Sequence, residues 1–144
     1  MLKYNLSQID RISKKISLLL SKSDCIYLFG ELGSGKTTFV RSLIHQLQKK
    51  NRIKKTEVVS PTFSLLHEYD IKNFKVMHYD LYRLKKSKEI DQLGIYEENE
   101  NLILIIEWPE KVKKKTKNRL EITFYYGSDD KKRKIKRKFG GHRN

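Results

Sequence analysis

The feature that most constrains how this chain folds is a short glycine-containing loop at residues 30–37, with the sequence GELGSGKT. The loop matches the Walker A pattern G-x-x-x-x-G-K-[ST], which lies between a strand and a helix and binds nucleotide phosphates. An unbroken apolar run at residues 25–29, CIYLF, precedes the loop and is typical of a strand. The flanking segments are therefore those that a phosphate-binding loop requires. Apolar residues also recur after the loop at helical spacing, at Phe39, Val40, Leu43, Ile44 and Leu47.

The residue types in this loop suit the binding of phosphate groups. Gly33 and Gly35 have no Cβ, so the chain can turn tightly and aim successive backbone N–H groups at one anion. The N-terminus of the helix that follows adds further donors. Lys36 supplies positive charge for the β- and γ-phosphates, and the Thr37 hydroxyl is placed to ligate Mg²⁺. We therefore predict a nucleoside triphosphate site with Mg²⁺; the alternative is a glycine-rich turn into an ordinary helix.

Two acidic residues that follow predicted strands are candidates to complete this site. Glu107 comes directly after the five aliphatic residues at 102–106, and Asp80 follows the strand-like segment at 74–79. Ligand sites in α/β proteins lie at the carboxyl ends of such strands. We predict that Glu107 holds Mg²⁺ and that Asp80 orients or activates the attacking water. For each, the alternative is an ordinary surface acid after a strand.

Several other residues have more than one interpretation. The Thr62 hydroxyl would either sense the γ-phosphate or Mg²⁺, or stabilise an ordinary turn. Trp108 would stack on a ring, pack beneath the end of the sheet, or anchor a partner. His67 and His78 lie on neighbouring predicted strands, and without further ligands at metal spacing they are predicted to be strand-face residues. The chain has no N-K-x-D guanine-reading motif, which favours ATP over GTP.

The pattern of apolar residues along the whole chain predicts one α/β domain. Its 144 residues suffice for a single hydrophobic core, and no repeat or linker divides them. Extended segments at 63–69 and 74–79 are joined by a short turn, which predicts an antiparallel hairpin. The other predicted elements are a helix ending near residue 21, a short strand at 57–59, a short helix at 86–92, strands at 102–106 and 120–126, and an edge strand at 133–139.

These elements predict an α/β fold of the P-loop NTPase-like type, with three layers. Its mixed sheet would contain the antiparallel hairpin and the C-terminal strands, between flanking helices. Residues 1–139 are predicted to form the single P-loop ATPase domain, and residues 140–144 a frayed basic tail.

The net charge of +15 is concentrated near the C-terminus. Residues 111–144 contain 14 basic and three acidic residues, a net charge of +11, whereas residues 1–110 carry only +4. Such a basic region is suited to nucleic acid. The alternative is a lysine-rich solvated face, and this is favoured because no aromatic stacking pattern accompanies the charge.

The composition also bears on where the protein works. Cys25 is the only cysteine, so an internal disulfide is excluded, and its place in an apolar run predicts a buried thiol. The first apolar cluster is interrupted by Gln8, Asp10 and Arg11, which is unlike a signal peptide. No apolar run is long enough to span a bilayer. We expect a cytoplasmic protein with no membrane partner.

Four segments, in this order and spacing, closely resemble the motifs of the bacterial TsaE (YjeE) family. They are GELGSGKTT at residues 30–38, SPTFSL at 60–65, HYDLYRL at 78–84 and IEWPE at 106–110. The resemblance spans about residues 1–126, and the agreement of four separate motifs makes it highly specific.

This resemblance implies a small P-loop ATPase required for threonylcarbamoyladenosine, the tRNA modification next to the anticodon. Such a protein does not make the threonylcarbamoyl group itself. It binds the TsaB–TsaD heterodimer, in which TsaD is the transferase, and its ATP cycle supports turnover of that complex.

The family motifs also imply roles for individual residues. Thr37 and Glu107 match the Mg²⁺ positions. Asp80 and Trp108 match positions tied to nucleotide handling and activity, and Thr62 lies in the switch-like loop. The phosphate-binding positions are Gly33, Ser34, Gly35, Lys36, Thr37 and Thr38.

The activity that we expect is Mg²⁺-dependent ATP hydrolysis, slow for the protein alone and faster with TsaB–TsaD. Lys36 and the loop amides would stabilise charge that develops on the phosphates. No residue stands out as an arginine finger; Arg83 is one candidate, and a group from a partner is the other. Contact with tRNA would be indirect or through the basic C-terminal region.

Two other functions remain as alternatives. A small-molecule or nucleotide kinase would need a second substrate pocket and usually an arginine-rich lid, and this short chain has no obvious lid. A non-enzymatic basic RNA-binding adaptor would use the C-terminal charge and would not depend on Lys36.

Overall fold

The computed structural model describes residues 2–5, 8–22, 24–95, 101–113, 119–126 and 132–140. No helix within these ranges has the length and apolar character needed to cross a membrane. The elements are β1 (Leu2–Asn5), α1 (Ile9–Leu19), β2 (Cys25–Phe29), α2 (Lys36–Lys50), β3 (Leu66–Ile71), β4 (Phe74–Asp80), α3 (Ser87–Asp91), β5 (Leu102–Glu107), β6 (Arg119–Tyr126) and β7 (Lys132–Gly140).

The seven strands in the described ranges form one mixed sheet, in the order β1-β7-β6-β2-β5-β4-β3. At its centre, β2 is parallel to both β5 and β6, and β4 is parallel to β5. Antiparallel pairing joins β3 to β4, β6 to β7 and β1 to β7. The predicted hairpin and the mixed sheet are therefore confirmed.

The two faces of the sheet pack in separate apolar layers. Along β2, Ile26 and Leu28 pack with α1 and α2, whereas Cys25 and Tyr27 pack with the segment that contains α3. This split follows from the two-residue period of a strand, which points successive side chains to opposite faces. The predicted α/β architecture of three layers is confirmed, and Cys25 is buried as expected.

Helices α1 and α2 are also joined by a small polar cluster in which the two serine side chains are buried. The Ser42 hydroxyl donates to Asp10 Oδ1 at 2.5 Å and lies 2.5 Å from the Ser13 hydroxyl. Buried hydroxyl groups need such partners, because leaving one unpaired is costly. The cluster fixes α2, and therefore the phosphate-binding loop before it, against the rest of the layer.

The predicted strand at 57–59 is wrong. These residues are not part of the sheet, although Val58 is buried. The Arg41 guanidinium donates to the Val58 carbonyl at 3.0 Å, and the Thr56 amide donates to Gln48 Oε1 at 3.3 Å. Side chains of α2 thus provide hydrogen bonds that a neighbouring strand would have supplied, so the segment lies along the helix.

The predicted edge strand at 133–139 is a strand, but it does not lie at the edge. β7 pairs with β6 on one side and with β1 on the other, so β1 occupies the edge. β1 was not predictable from the sequence, because its four residues give too short an alternating pattern. The boundary between domain and tail stays a prediction, since residues 141–144 lie outside the described residues.

Candidate functional site

The glycine loop connects the end of β2 to the start of α2, as the motif predicts. Gly30 has φ +146°, and a Cβ there would lie 2.7 Å from the Ser34 hydroxyl and 3.0 Å from the Phe124 carbonyl oxygen. A side chain would therefore disrupt the loop. Gly35 is the N-cap residue of α2 and provides no side-chain cap, so the first N–H groups of this helix are available to an anion.

Lys36 lies at the centre of the site. Its side chain is only 4% exposed, and Nζ donates to the Gly30 carbonyl at 2.5 Å. Burial lowers the pKa of Lys36, while the charges of Glu107 and Asp80 oppose that effect. The ammonium group is therefore held in a partly dehydrated position, facing two acids, where a phosphate would gain much from its charge.

Lys36 and the loop residues line a pocket, and Trp108 forms one side of it. It follows β5 and has a left-handed backbone conformation, with φ 61° and ψ 49°, that is uncommon for a non-glycine residue. This conformation brings its ring to 4.2 Å from Lys36 Nζ and to a centroid distance of 4.9 Å from Tyr82. Such a conformation persists only where surrounding contacts hold it, as the contacts of this ring do.

The two predicted acids lie side by side. Asp80 ends β4 and Glu107 ends β5, and the parallel register pairs these two residues directly. Both are nearly buried, at 4% and 3% exposure, and both line the pocket in front of Lys36. The carboxyl ends of the parallel strands thus place two carboxylates beside the phosphate-binding loop.

Asp80 is held by the loop that precedes β3. The Thr62 hydroxyl donates to Asp80 Oδ2 at 2.8 Å and lies 2.7 Å from the Ser60 hydroxyl. The Tyr82 amide donates to Asp80 Oδ1 at 3.0 Å, and the Asp80 amide donates to the Leu65 carbonyl at 3.0 Å. Both oxygens of this carboxylate are therefore oriented, and Thr62 has more than a turn-forming role.

Glu107 has a different partner. His78 Nε2 lies 2.7 Å from Glu107 Oε2, and the histidine is fully buried. The bond uses one of the two carboxylate oxygens, while Glu107 remains part of the pocket wall.

One pocket brings together every predicted site residue except Ser34, and it includes Thr62. The Ser34 side chain is buried, and its hydroxyl has no hydrogen-bond partner within the described part of the chain. Ser60 and Leu32 also line the pocket and were not predicted as site residues. The Ser-Pro-Thr motif could have indicated Ser60 as a site residue, since Ser60 lies two residues before Thr62.

The donor set fits a nucleotide with Mg²⁺ better than a metal held by protein alone. Among the residues that the structure describes, no group of three or more His, Cys, Asp or Glu side chains is placed to hold a metal. Mg²⁺ is usually bound through one or two protein oxygens, with phosphate oxygens and water completing its shell. Thr37 and Glu107 both line the pocket and supply oxygens of that kind.

Comparison with known proteins gives a consistent result. Residues 4–135 match the family model described as threonylcarbamoyl adenosine biosynthesis protein TsaE. A Rickettsia felis protein named tRNA threonylcarbamoyladenosine biosynthesis protein TsaE is 39% identical over 109 residues, covering 76% of this chain and 61% of that protein. The Rickettsia conorii protein of the same name is 43% identical over 105 residues, covering 70% and 58%.

A solved structure agrees with the sequence comparisons. The crystal structure of Bacillus subtilis YdiB superposes with a TM-score of 0.69 at 26% identity, covering 98% of this chain and 86% of that one. The chain spans about three fifths of the length of the two Rickettsia relatives.

Proposed function

The chain belongs to the TsaE family, and from this membership and its pocket we propose that it is a Mg²⁺-dependent ATPase acting in tRNA threonylcarbamoyladenosine biosynthesis. The observation that carries the proposal is the meeting of Lys36, Asp80 and Glu107 in one pocket at the mouth of the phosphate-binding loop. A lysine, loop amides, a Thr hydroxyl and carboxylates at strand ends are the parts that P-loop NTPases use.

The proposed binding roles follow from the positions of the side chains. Residues 33–38 surround the phosphates with backbone N–H groups, and Lys36 contributes its charge. Thr37 and Glu107 hold Mg²⁺, which when bound neutralises charge on the phosphate oxygens. Trp108 closes the side of the pocket against Lys36 and contacts the nucleotide. When a phosphate arrives, Lys36 exchanges its bond to the Gly30 carbonyl for a charge-assisted bond.

Asp80 is the residue that we propose orients the attacking water. Thr62 and the Tyr82 amide fix its two oxygens, so the carboxylate is preorganised. Arg83 does not line the pocket; its guanidinium donates to the Phe63 carbonyl at 2.9 Å. We therefore favour a partner as the source of any arginine finger, with slow hydrolysis by the protein alone.

The partners that we propose are TsaB and TsaD, with tRNA engaged through that complex or through the basic C-terminal region. The decisive experiment is reconstitution of tRNA modification with TsaB–TsaD, using wild type, Lys36→Ala and Glu107→Ala. We expect both variants to lose at least about 10²-fold in turnover, as when an electrostatic group of an active site is removed. ATPase activity should rise when TsaB–TsaD is added.

Lys75→Ala is the matched control, because Lys75 lies on β4 but is exposed and pairs with Asp70. Lys75→Ala should keep the wild-type turnover in tRNA modification and the wild-type ATPase activity.

Equal ATPase rates with and without TsaB–TsaD would contradict the proposed partnership. Transfer of phosphate to nucleosides or sugars would instead support a kinase, and full activity of Lys36→Ala would support an adaptor.

A further inference from the structure

A buried histidine beside the pocket has no role in the function proposed above. His78 is fully buried in β4, and its Nε2 atom lies 2.7 Å from Oε2 of Glu107, which is 3% exposed. A buried carboxylate is costly unless it is hydrogen-bonded. His78 therefore stabilises Glu107 in the position where the structure has it.

The register of the sheet explains why these residues meet. Asp80 pairs with Glu107, and His78 pairs with Ile105, two residues earlier on each strand. Because side chains alternate along a strand, His78, Asp80 and Glu107 all point to the same face, the one that α2 covers. His78 thus lies two residues before Asp80 on β4, farther from the end of the sheet, and contacts Glu107, the candidate metal ligand.

The surroundings of the imidazole indicate which nitrogen carries the proton. Nδ1 is buried and has no hydrogen-bond partner among the described residues. Nδ1 lacks a partner whether or not it carries a proton, so the contact made by Nε2 decides. A proton on Nε2 gives an N–H donor aimed at the Glu107 carboxylate, whereas an unprotonated Nε2 would place its lone pair against a carboxylate oxygen 2.7 Å away.

We propose that His78 is a positioning residue that donates from Nε2 to Glu107 and so orients this carboxylate for the divalent cation bound with the nucleotide. The inference rests on the proposed function, because it assumes that Glu107 serves the metal. Carboxylate ligands are commonly oriented by such outer hydrogen bonds, and losing one typically costs about 10–100-fold in metal affinity. His78 should therefore affect the contribution of Mg²⁺ and leave metal-free nucleotide binding unchanged.

The test measures the dissociation constant of a non-hydrolysable ATP analogue by calorimetry, in excess Mg²⁺ and in EDTA. The ratio of the two constants reports how much Mg²⁺ strengthens binding. In His78→Leu, which removes the donor and stays apolar, we expect this ratio to fall about tenfold or more, with the EDTA constant unchanged. His78→Gln, whose amide N–H can reach a similar position, should restore most of the ratio.

Two further variants separate a direct role from a structural one. His67 pairs with His78 in the β3–β4 register, but its Nδ1 atom lies 3.1 Å from the Val59 carbonyl and makes no bond to Glu107. His67→Leu should therefore keep the wild-type ratio. In a Glu107→Gln background, His78→Leu should cause no further loss, because its effect acts through Glu107.

Each other outcome has a distinct meaning. If His78→Leu keeps the wild-type ratio, or weakens binding equally with and without Mg²⁺, the inference is overturned while the proposed function stands. If wild type itself gains nothing from Mg²⁺, the proposed function fails and the inference fails with it.

A measurement on the unmodified protein keeps the inference testable if the leucine variant does not fold. Nitrogen-15 NMR of histidine-labelled wild-type protein should show a proton on Nε2 of His78. The His78→Gln variant assigns the signal, because the resonance of this histidine is missing from its spectrum. An Nε2 atom without a proton would overturn the proposed hydrogen bond.

Discussion

At the scale of single residues, the site is a balance of opposing charges in a small buried volume. Lys36 lies against the ring of Trp108 and faces Asp80 and Glu107, while its ammonium group donates to the Gly30 carbonyl. Burial dominates, because the pKa of Lys36 is lowered despite its acidic neighbours. The protein therefore retains a charge that weakens the fold and that a bound anion would compensate.

This balance predicts that Lys36→Met raises the thermal unfolding midpoint at neutral pH while nucleotide binding is lost. Methionine keeps most of the side-chain volume and removes the buried charge. In wild type, the unfolded chain binds more protons than the folded one between the lowered pKa and 10.5, so stability should rise with pH in that window. Calorimetric melting of both proteins from neutral to alkaline pH measures this.

In Lys36→Met, the unfolding midpoint should lack the increase with pH that is assigned to Lys36. A lower midpoint for Lys36→Met at neutral pH would show that the contacts of the ammonium group with Gly30 and the Trp108 ring outweigh its burial cost. Lys75→Met, at an exposed position of β4, controls for the general effect of losing a lysine.

At the scale of elements, the parts of the fold that follow strong local patterns were predictable. The β2–loop–α2 unit, the hairpin of β3 and β4 and the apolar β5 all appear where the sequence places them. Asp80 and Glu107 were found because the residue after a buried parallel strand has a defined location. Their contacts with Thr62 and His78 were not predictable, since they depend on register and on the path of a loop.

The segment at 57–59 shows why other parts were not predictable. Val58 is buried, so its β-branched side chain correctly indicated an apolar environment. Hydrophobicity does not say whether backbone hydrogen bonds come from a strand or from side chains. Here Arg41 donates to the Val58 carbonyl, and Gln48 accepts from the Thr56 amide. A three-residue pattern lacks the length to distinguish the two.

The loop before β3 provides a prediction at this scale, because several bonds tie it to the end of β4. Thr62 bonds to Asp80, and the Leu65 carbonyl accepts from the Asp80 amide. We expect Thr62→Val to lower kcat for ATP hydrolysis about 10–100-fold, the value of a hydrogen bond to a charged group. The Michaelis constant should change little, since the phosphate-binding loop is untouched. Steady-state ATPase assays with TsaB–TsaD measure both constants.

Thr62→Ser is the matched control for this prediction, because it keeps the hydroxyl and removes only a methyl group. It should retain most of the wild-type kcat. Equal activity of the valine and serine variants would mean that the bond to Asp80 has no part in hydrolysis.

At the scale of the whole molecule, the nucleotide site and the start of β6 lie at opposite ends of the sheet. The pocket follows the end of β2, whereas Arg119, the first residue of β6, pairs with Cys25 at the start of β2. The sequence places a lysine-rich segment at 113–117, shortly before Arg119. The sequence alone could not show which end of the sheet this strand begins at, because that depends on β6 being parallel to β2.

This arrangement predicts that the charge of the lysine-rich segment can be removed without changing ATP hydrolysis. Replacing Lys114, Lys115 and Lys117 with glutamine should weaken tRNA binding and reduce the slope of log affinity against log salt. Each lost phosphate contact should reduce that slope by about 0.7–0.9. ATP hydrolysis by the protein alone should stay at the wild-type rate, since the pocket lies at the opposite end of the sheet from Arg119, to which this segment leads. Filter binding of tRNA over a series of salt concentrations measures the slope.

The control removes the same charge elsewhere, by replacing the exposed Lys14, Lys15 and Lys49 with glutamine. If the basic C-terminal region has a defined place in tRNA binding, its variant loses more affinity and more of the salt slope than the control. Equal losses would mean that tRNA responds only to the total charge of +15. In that case tRNA contacts would have to come through the partner complex, because net charge alone steers association without placing the anticodon near a transferase.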